Sequence, residues 1–217
     1  MIVVVGAIAA AGAGADTTPT GLAAGIALAA AAAGARVEVV TRLGEDAAGD
    51  ALLLAFAAAG VGHVATLRDA VHATPVTATV DEPVDPDAID DREERDVPVT
   101  AADPTVAGVS AAPTLDAADV GLAMRYLADY RVIVVVHPID AGILSEVVAA
   151  TSWANAHLVC VTRPDAPVPT DLPADAVVLA AADDAEGLAG MLGRYAAAVD
   201  GGDAPEAAFR ATLGAPA

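Results

Sequence analysis

Residues 20–62 read TGLAAGIALAAAAAGARVEVVTRLGEDAAGDALLLAFAAAGVG, and this stretch decides the fold class. The Ala-rich apolar run from Gly21 to about Ala33 predicts a buried helix, which a glycine ends. The β-branched run RVEVVT at 36–41 predicts a strand. Asp46 stands where a helix N-cap belongs, before a second apolar helix that reaches about Ala59. The stretch therefore predicts a helix–strand–helix unit.

The same alternation continues on both sides of this unit. The predicted strands are 3–5, 36–41, 64–67, 76–80, 105–110, 131–138, 157–162 and 176–180, and the predicted helices are 21–33, 46–59, 116–130, 142–154, 185–200 and 203–212. Apolar strands that alternate with helices indicate an α/β fold, doubly wound, with a mostly parallel sheet and helices on both faces. We expect one domain over 1–217, with the acidic, proline-rich segment 81–103 as a surface excursion.

The charge balance is strongly acidic. Thirty Asp and Glu oppose ten basic residues, all of them Arg, for a net charge of −20, while 56% of residues are hydrophobic. In molar salt, where the Debye length is about 3 Å, carboxylates barely repel one another, so the composition indicates a halophilic protein. A binding protein for a basic partner is the alternative. Nucleic acid is not an expected ligand because no basic cluster is present to neutralise phosphates.

Other features of the sequence limit where the protein can reside and which kinds of site it can contain. Cys160 is the only cysteine, so no internal disulfide can form. The amino-terminal segment lacks a basic stretch, and the longest apolar run, Gly21 to Ala35, has 15 residues, so we expect neither a signal peptide nor a membrane span. The four histidines show no zinc-ligand spacing, and GAIAAAGAG does not match a dinucleotide-binding loop. We therefore expect a cytoplasmic protein without a metal site.

Residues 20–62 resemble the first signature region of the ribokinase-like (PfkB-type) carbohydrate kinases. The matching residues are Gly21, Ala27, Gly34, Gly44, Asp46 and Gly49. Later segments resemble the same plan: VTATVDE is similar to the start of the lid strands, VCVTRPDA is similar to a family strand and turn, and Gly187 and Gly193 fit the Gly-Ala-Gly-Asp region. The resemblance implies ATP- and Mg-dependent phosphorylation of a sugar or nucleoside, with the substrate beside Ala11, Gly21, Gly25, Gly44 and Asp46 and an anion hole at Gly187 and Leu188.

The departures from the family pattern remove polar groups. The Asp that would bind substrate hydroxyls is Ala11, the substrate-side Asn is Gly25, and the first Gly of a Gly-Gly pair is Thr20. The Asp that would take the proton from the sugar hydroxyl is Leu188. Loss of such a base costs roughly 10²–10⁴ in rate. The segment for the lid strands also looks shortened.

Three carboxylates are weak candidates for a replacement base. Asp183 and Asp184 precede a predicted helix, where Asp and Glu normally stabilise the positive end of the helix dipole. Asp140 follows a predicted strand with His137, at an edge where open α/β sheets bind ligands, although a cap and turn also account for it.

Two hypotheses for the function follow. The first is a degenerate carbohydrate kinase homologue without phosphotransferase activity, which acts as a binding or partner subunit. The second is an active sugar or nucleoside kinase that uses ATP and Mg with a non-standard base. We also expect a homodimer, because a shortened lid leaves the apolar edge at 76–80 uncovered.

Overall fold

The structure is a computed structural model that describes residues 1–12, 16–77, 111–181 and 186–214. Its strands are β1 (Ile2–Val5), β2 (Ala9–Ala11), β3 (Thr18–Thr20), β4 (Val37–Gly44), β5 (Val61–Gly62), β6 (Thr66–Asp69), β7 (Val76–Thr77), β8 (Val132–Val136), β9 (His157–Thr162) and β10 (Val177–Ala180). Its helices are α1 (Leu22–Ala32), α2 (Ala47–Ala58), α3 (Ala117–Tyr126), α4 (Ala141–Ala154), α5 (Glu186–Asp200) and α6 (Pro205–Gly214).

One parallel sheet forms the centre of the molecule. Its strand order is β10-β9-β8-β1-β4-β5, and β6 also pairs with β4. In β1, Val3 lies opposite Glu38 of β4 on one side and Ile133 of β8 on the other, both in parallel register. Strands β1, β8 and β9 are buried along their whole length, as expected for a sheet covered on both faces. The predicted parallel sheet is confirmed.

Helices cover both faces of this sheet. On one face a hydrophobic cluster joins side chains of α1, α2 and α5 to alternate residues of the strands, such as Val4 and Val134. On the other face a second cluster joins α3 and α4 to the intervening residues, such as Val5 and Val135. The alternation follows from the two-residue period of a strand. The doubly wound α/β prediction is confirmed.

Helices α1 and α5 pack unusually close together. A Cβ on Gly193 of α5 would lie 2.5 Å from the Cβ of Ala29 and 2.7 Å from the backbone nitrogen of Ala30. Nearer the start of the two helices, a Cβ on Gly25 would lie 2.9 Å from the Cβ of Ala189. The Ala- and Gly-rich composition of both helices therefore allows backbone approach that larger side chains would prevent.

A small second sheet of order β3-β2-β7 follows β1. Strands β2 and β3 pair antiparallel, and Ala10 of β2 pairs in parallel with Val76 of β7. The sequence prediction missed β2 because its three residues are alanines, which have low strand propensity, and missed the three-residue β3 because Pro19 lies at its centre.

Several predicted boundaries differ from the structure. The strand predicted at 64–67 is β6, shifted by two residues to Thr66–Asp69, and the two-residue strand β5 precedes it. Helix α3 ends at Tyr126, not at residue 130, because Leu127 is extended. The segment 81–103, the predicted strand at 105–110 and residues 78–80 lie outside the described residues.

Candidate functional site

The carboxyl edge of the sheet contains the point where the chain changes direction. From β1 the chain crosses through α1 to β4 on one side, whereas β8, the other neighbour of β1, leads through α4 to β9 on the opposite side. Ligands of open α/β sheets bind in the crevice at such a switch point. Little space exists at this switch point, however. A Cβ on Gly6 would lie only 2.9 Å from the Cβ of Ala23, so the chain is tightly packed there. The adjacent cavity, beside Thr41 and Arg42, has a volume of about 70 Å³. That is about the space of two waters.

A larger cavity of about 730 Å³ lies next to it, at the ends of β8 and β9. One wall is the amino-terminal half of α4, and the other is the loop that follows β9. His137 and Thr162, which are both buried, stand at the strand ends that line the cavity, with Asp140, Ser145 and Arg163 beside them. The volume falls within the roughly 300–1,000 Å³ typical of small-molecule sites. This cavity is the candidate site.

Asp140 has a structural task in this site. It is the N-cap of α4, and the backbone N–H of Ile143 donates to its Oδ1 at 2.7 Å. The sequence suggested a cap and turn at the end of the strand, and the structure shows that Asp140 caps the helix that follows. The carboxylate also lines the cavity, so one residue starts the helix and contributes negative charge to the wall.

Asp46 and Gly44 lie in a turn at the end of β4 that hydrogen bonds of Asp46 hold in place. Asp46 caps α2 by accepting from the N–H of Gly49 at 2.7 Å, and its other oxygen accepts from the N–H of Thr74 at 2.7 Å. Burial opposes its charge, but these backbone hydrogen bonds outweigh it and hold the pKa of Asp46 below its usual value. A Cβ on Gly44 would lie 2.6 Å from the Thr74 nitrogen. Both residues thus anchor the loop before β7.

A charged cluster that the sequence analysis missed lies beside this turn. Arg42 Nη2 donates to Asp119 Oδ1 at 2.9 Å, and its Nη1 lies 3.8 Å from Asp69 Oδ2. Asp69 also accepts from the His72 ring at 3.0 Å and from the N–H groups of Val71 and His72. The His72 side chain and these N–H groups lower the pKa of Asp69 to about 2. No sequence pattern signals this cluster, because Arg42 and Asp119 are 77 residues apart.

The remaining resemblance-based positions are distributed over separate elements. Ala11 ends β2 opposite Thr18, and Gly21 starts α1 with a φ of 98°, a left-handed conformation that favours glycine. Gly25 lies in the α1–α5 contact. The partly buried Leu188 packs against the hydrophobic cluster of α1 and α5, one residue after Gly187. Asp183 and Asp184 lie outside the described residues.

Comparisons with known proteins give matches among solved structures alone: no family model and no curated protein matches the chain. The crystal structure of Sa239 matches with a TM-score of 0.59 and 11% identity over 100% of this chain and 94% of that one. Fructokinase with bound ATP from Xylella fastidiosa matches with a TM-score of 0.47 and 14% identity over 98% and 68%. Aminoimidazole riboside kinase from Salmonella enterica matches with a TM-score of 0.46 and 16% identity over 74% and 49%.

The match to Sa239, with a TM-score of 0.59 over nearly the whole of both chains, supports the α/β fold. At these identities the likeness concerns the fold alone. The chain spans about half the length of the riboside kinase that it matches.

The described residues contain no group of three or more His, Cys, Asp and Glu that could hold a metal ion. Over the same residues, no helix combines the length and the apolar character needed to cross a membrane. Burial raises the pKa of the fully enclosed Cys160 thiol to about 11, which leaves it protonated and unreactive.

A second cavity of about 650 Å³ opens at the opposite, amino edge of the sheet. The buried ring of His157 lines this cavity. Its Nε2 atom lies 2.8 Å from the hydroxyl oxygen of Tyr195. Burial lowers the pKa of His157, although Asp175 at the cavity rim opposes that shift. This cavity is remote from the switch point.

Proposed function

We propose that this protein is a degenerate homologue of the ribokinase-like carbohydrate kinases that binds a small molecule without transferring phosphate. One observation carries the proposal: Ala11, Gly25 and Leu188 occupy the positions that, by resemblance, meet the substrate and take its proton. None of these side chains can orient a hydroxyl group or accept a proton.

The packing around these positions supports the proposal. Gly25 leaves no room for a polar side chain, because even a Cβ there would lie 2.9 Å from that of Ala189. Leu188 contributes to the hydrophobic cluster between α1 and α5. A missing base costs roughly 10²–10⁴ in rate, and lost positioning groups add to that cost. Phosphoryl transfer depends almost entirely on positioning and charge stabilisation, so little catalysis is expected to remain.

The ligand of this binding protein is expected in the cavity at the ends of β8 and β9. Its volume, about 730 Å³, suits a small molecule. The smaller cavity at the switch point, about 70 Å³, does not. A partner role through self-association fits the same proposal.

The second candidate function is an active kinase with ATP and Mg, and the position of Asp140 favours it. This carboxylate lines the larger cavity at a strand end, where a base could reach a bound hydroxyl. Its Oδ1 is taken by the helix cap, so the other oxygen would have to accept the proton.

Sugar-dependent ADP formation in molar KCl with Mg²⁺ distinguishes the two functions. We expect no turnover above background with pentoses, hexoses or nucleosides. Leu188→Asp should not restore it, because Ala11 and Gly25 remain. The matched variant Asp140→Asn keeps the cap, since Asn is as good an N-cap as Asp. Turnover in the native protein that Asp140→Asn, Asp183→Asn or Asp184→Asn abolishes would establish the active kinase instead.

A further inference from the structure

The walls of the larger cavity are mostly apolar. The larger aliphatic and proline side chains among them include Ile139, Leu144, Val148, Pro167, Val168 and Pro169. They come from two sides: the turn before α4 and its first two turns, and the loop after β9. A ligand between these walls would meet hydrocarbon on both of its faces.

The loop after β9 is stiffened and presents an apolar group at the cavity. It reads RPDAPVPTDLP over 163–173 and contains four prolines, each of which restricts its backbone. Val168, in the middle of this loop, lines the cavity yet is 71% exposed. A stiff loop loses little conformational entropy when a ligand binds. An apolar ligand would also remove the Val168 side chain from water, which favours binding.

The polar groups of the cavity suit neither a free sugar nor a polyphosphate. The Thr162 hydroxyl faces the Leu179 carbonyl at 3.4 Å, and Asp140 Oδ1 accepts from the α4 backbone. The Thr170 hydroxyl likewise donates to Asp171 at 3.2 Å. Because these groups are engaged within the protein and most of the lining is apolar, a ring of sugar hydroxyls would give up more hydrogen bonds to water than it regains, which is costly. Asp140 and Asp171, both on the wall, would repel phosphates, and Arg163 lies 3.7 Å from another carboxylate, that of Asp165.

From these contacts we infer that the cavity binds a neutral, largely apolar ring compound with one or two polar groups, in preference to a free sugar or a nucleotide. The inference rests on the proposed function, in that it names the ligand class of the same binding site. The exposed hydroxyl of Ser145, on α4, lines the cavity and can pair with a single polar group of the ligand.

The test uses indole as the probe, with ribose and MgATP as comparison ligands, by calorimetry and ligand-observed NMR in molar KCl. We expect saturable binding of indole and none of ribose or MgATP at the same concentrations. Ser145→Trp puts a large side chain into the cavity and should weaken indole binding at least tenfold. Ser152→Trp is the matched control, because it adds the same bulk to the same helix seven residues, about two turns, further on.

Methyl resonances give a second measurement on the native protein, which does not depend on a variant that folds. Those of Val148 and Val168 should shift with indole, whereas those of Val64, on the β5–β6 connection, should not. The inference is overturned if indole does not bind, if Ser145→Trp and Ser152→Trp weaken it equally, or if ribose binds more tightly. Failure of the proposed function has a different signature, because it appears as sugar-dependent ADP formation.

Discussion

Replacement of Gly193 by Ala tests the close packing of α1 and α5. A glycine in a helix interior is about 1 kcal/mol less favourable than Ala, so propensity alone predicts stabilisation. The added Cβ, however, would lie 2.5 Å from the Ala29 Cβ, 2.7 Å from the Ala30 nitrogen and 2.8 Å from the Ile26 carbonyl oxygen. Two of these atoms are backbone, so the helices must separate, and overpacking of this kind costs about 1–3 kcal/mol. Since three contacts are too short, we expect the upper end of that range and a net loss of about 2 kcal/mol.

Gly190→Ala in the same helix is the matched control. Its Cβ would meet only the flexible end of Arg194, at 3.4 Å, so the gain in helix propensity should remain. Urea unfolding in molar KCl measures both variants. The midpoint should fall for Gly193→Ala and rise or stay constant for Gly190→Ala. If both variants shift the free energy of unfolding in the same direction, the close approach of the two helices is wrong.

Three further predictions concern salt, acid and association. Because the net charge is −20, the melting temperature should rise steeply between low salt and molar KCl, and an unchanged melt would contradict the halophilic interpretation. The folded-state pKa of Asp69 is about 2, against an ordinary 3.8. Its contribution to stability is therefore complete above about pH 4 and is lost as the pH falls through 2, so the difference in the free energy of unfolding between the native protein and Asp69→Asn should shrink over that range. A constant difference would exclude the pairing of Asp69 with His72. Val76 on β7 is 58% exposed, so we expect light scattering in high salt to give the mass of a dimer. Val76→Lys should lower that mass. A monomer mass for the native protein at micromolar concentration would exclude this edge as a dimer interface.

Local patterns in the sequence were sufficient for the helices, for the long strands of the central sheet and for two helix caps. Runs of β-branched residues predicted β1, β4, β8 and β9, since side chains of this shape favour a strand buried on both faces. The caps at Asp46 and Asp140 were also predictable, because a cap depends on residues three positions apart. The hypothesis that polar groups are missing at Ala11 and Leu188 also comes from the sequence alone, through the family resemblance, and it stays a prediction.

The tertiary structure alone decided which distant residues meet. The pair Arg42–Asp119 and the contact of Gly25 with Ala189 each join segments that no short-range pattern relates. The candidate cavity depends on the strand order, which brings the end of β8 beside that of β9 and the loop after β9 against α4. Periodicity reports which face of an element is buried, whereas a site forms where several elements end together. For this reason the sequence by itself predicted the sheet, and only the fold showed the apolar cavity.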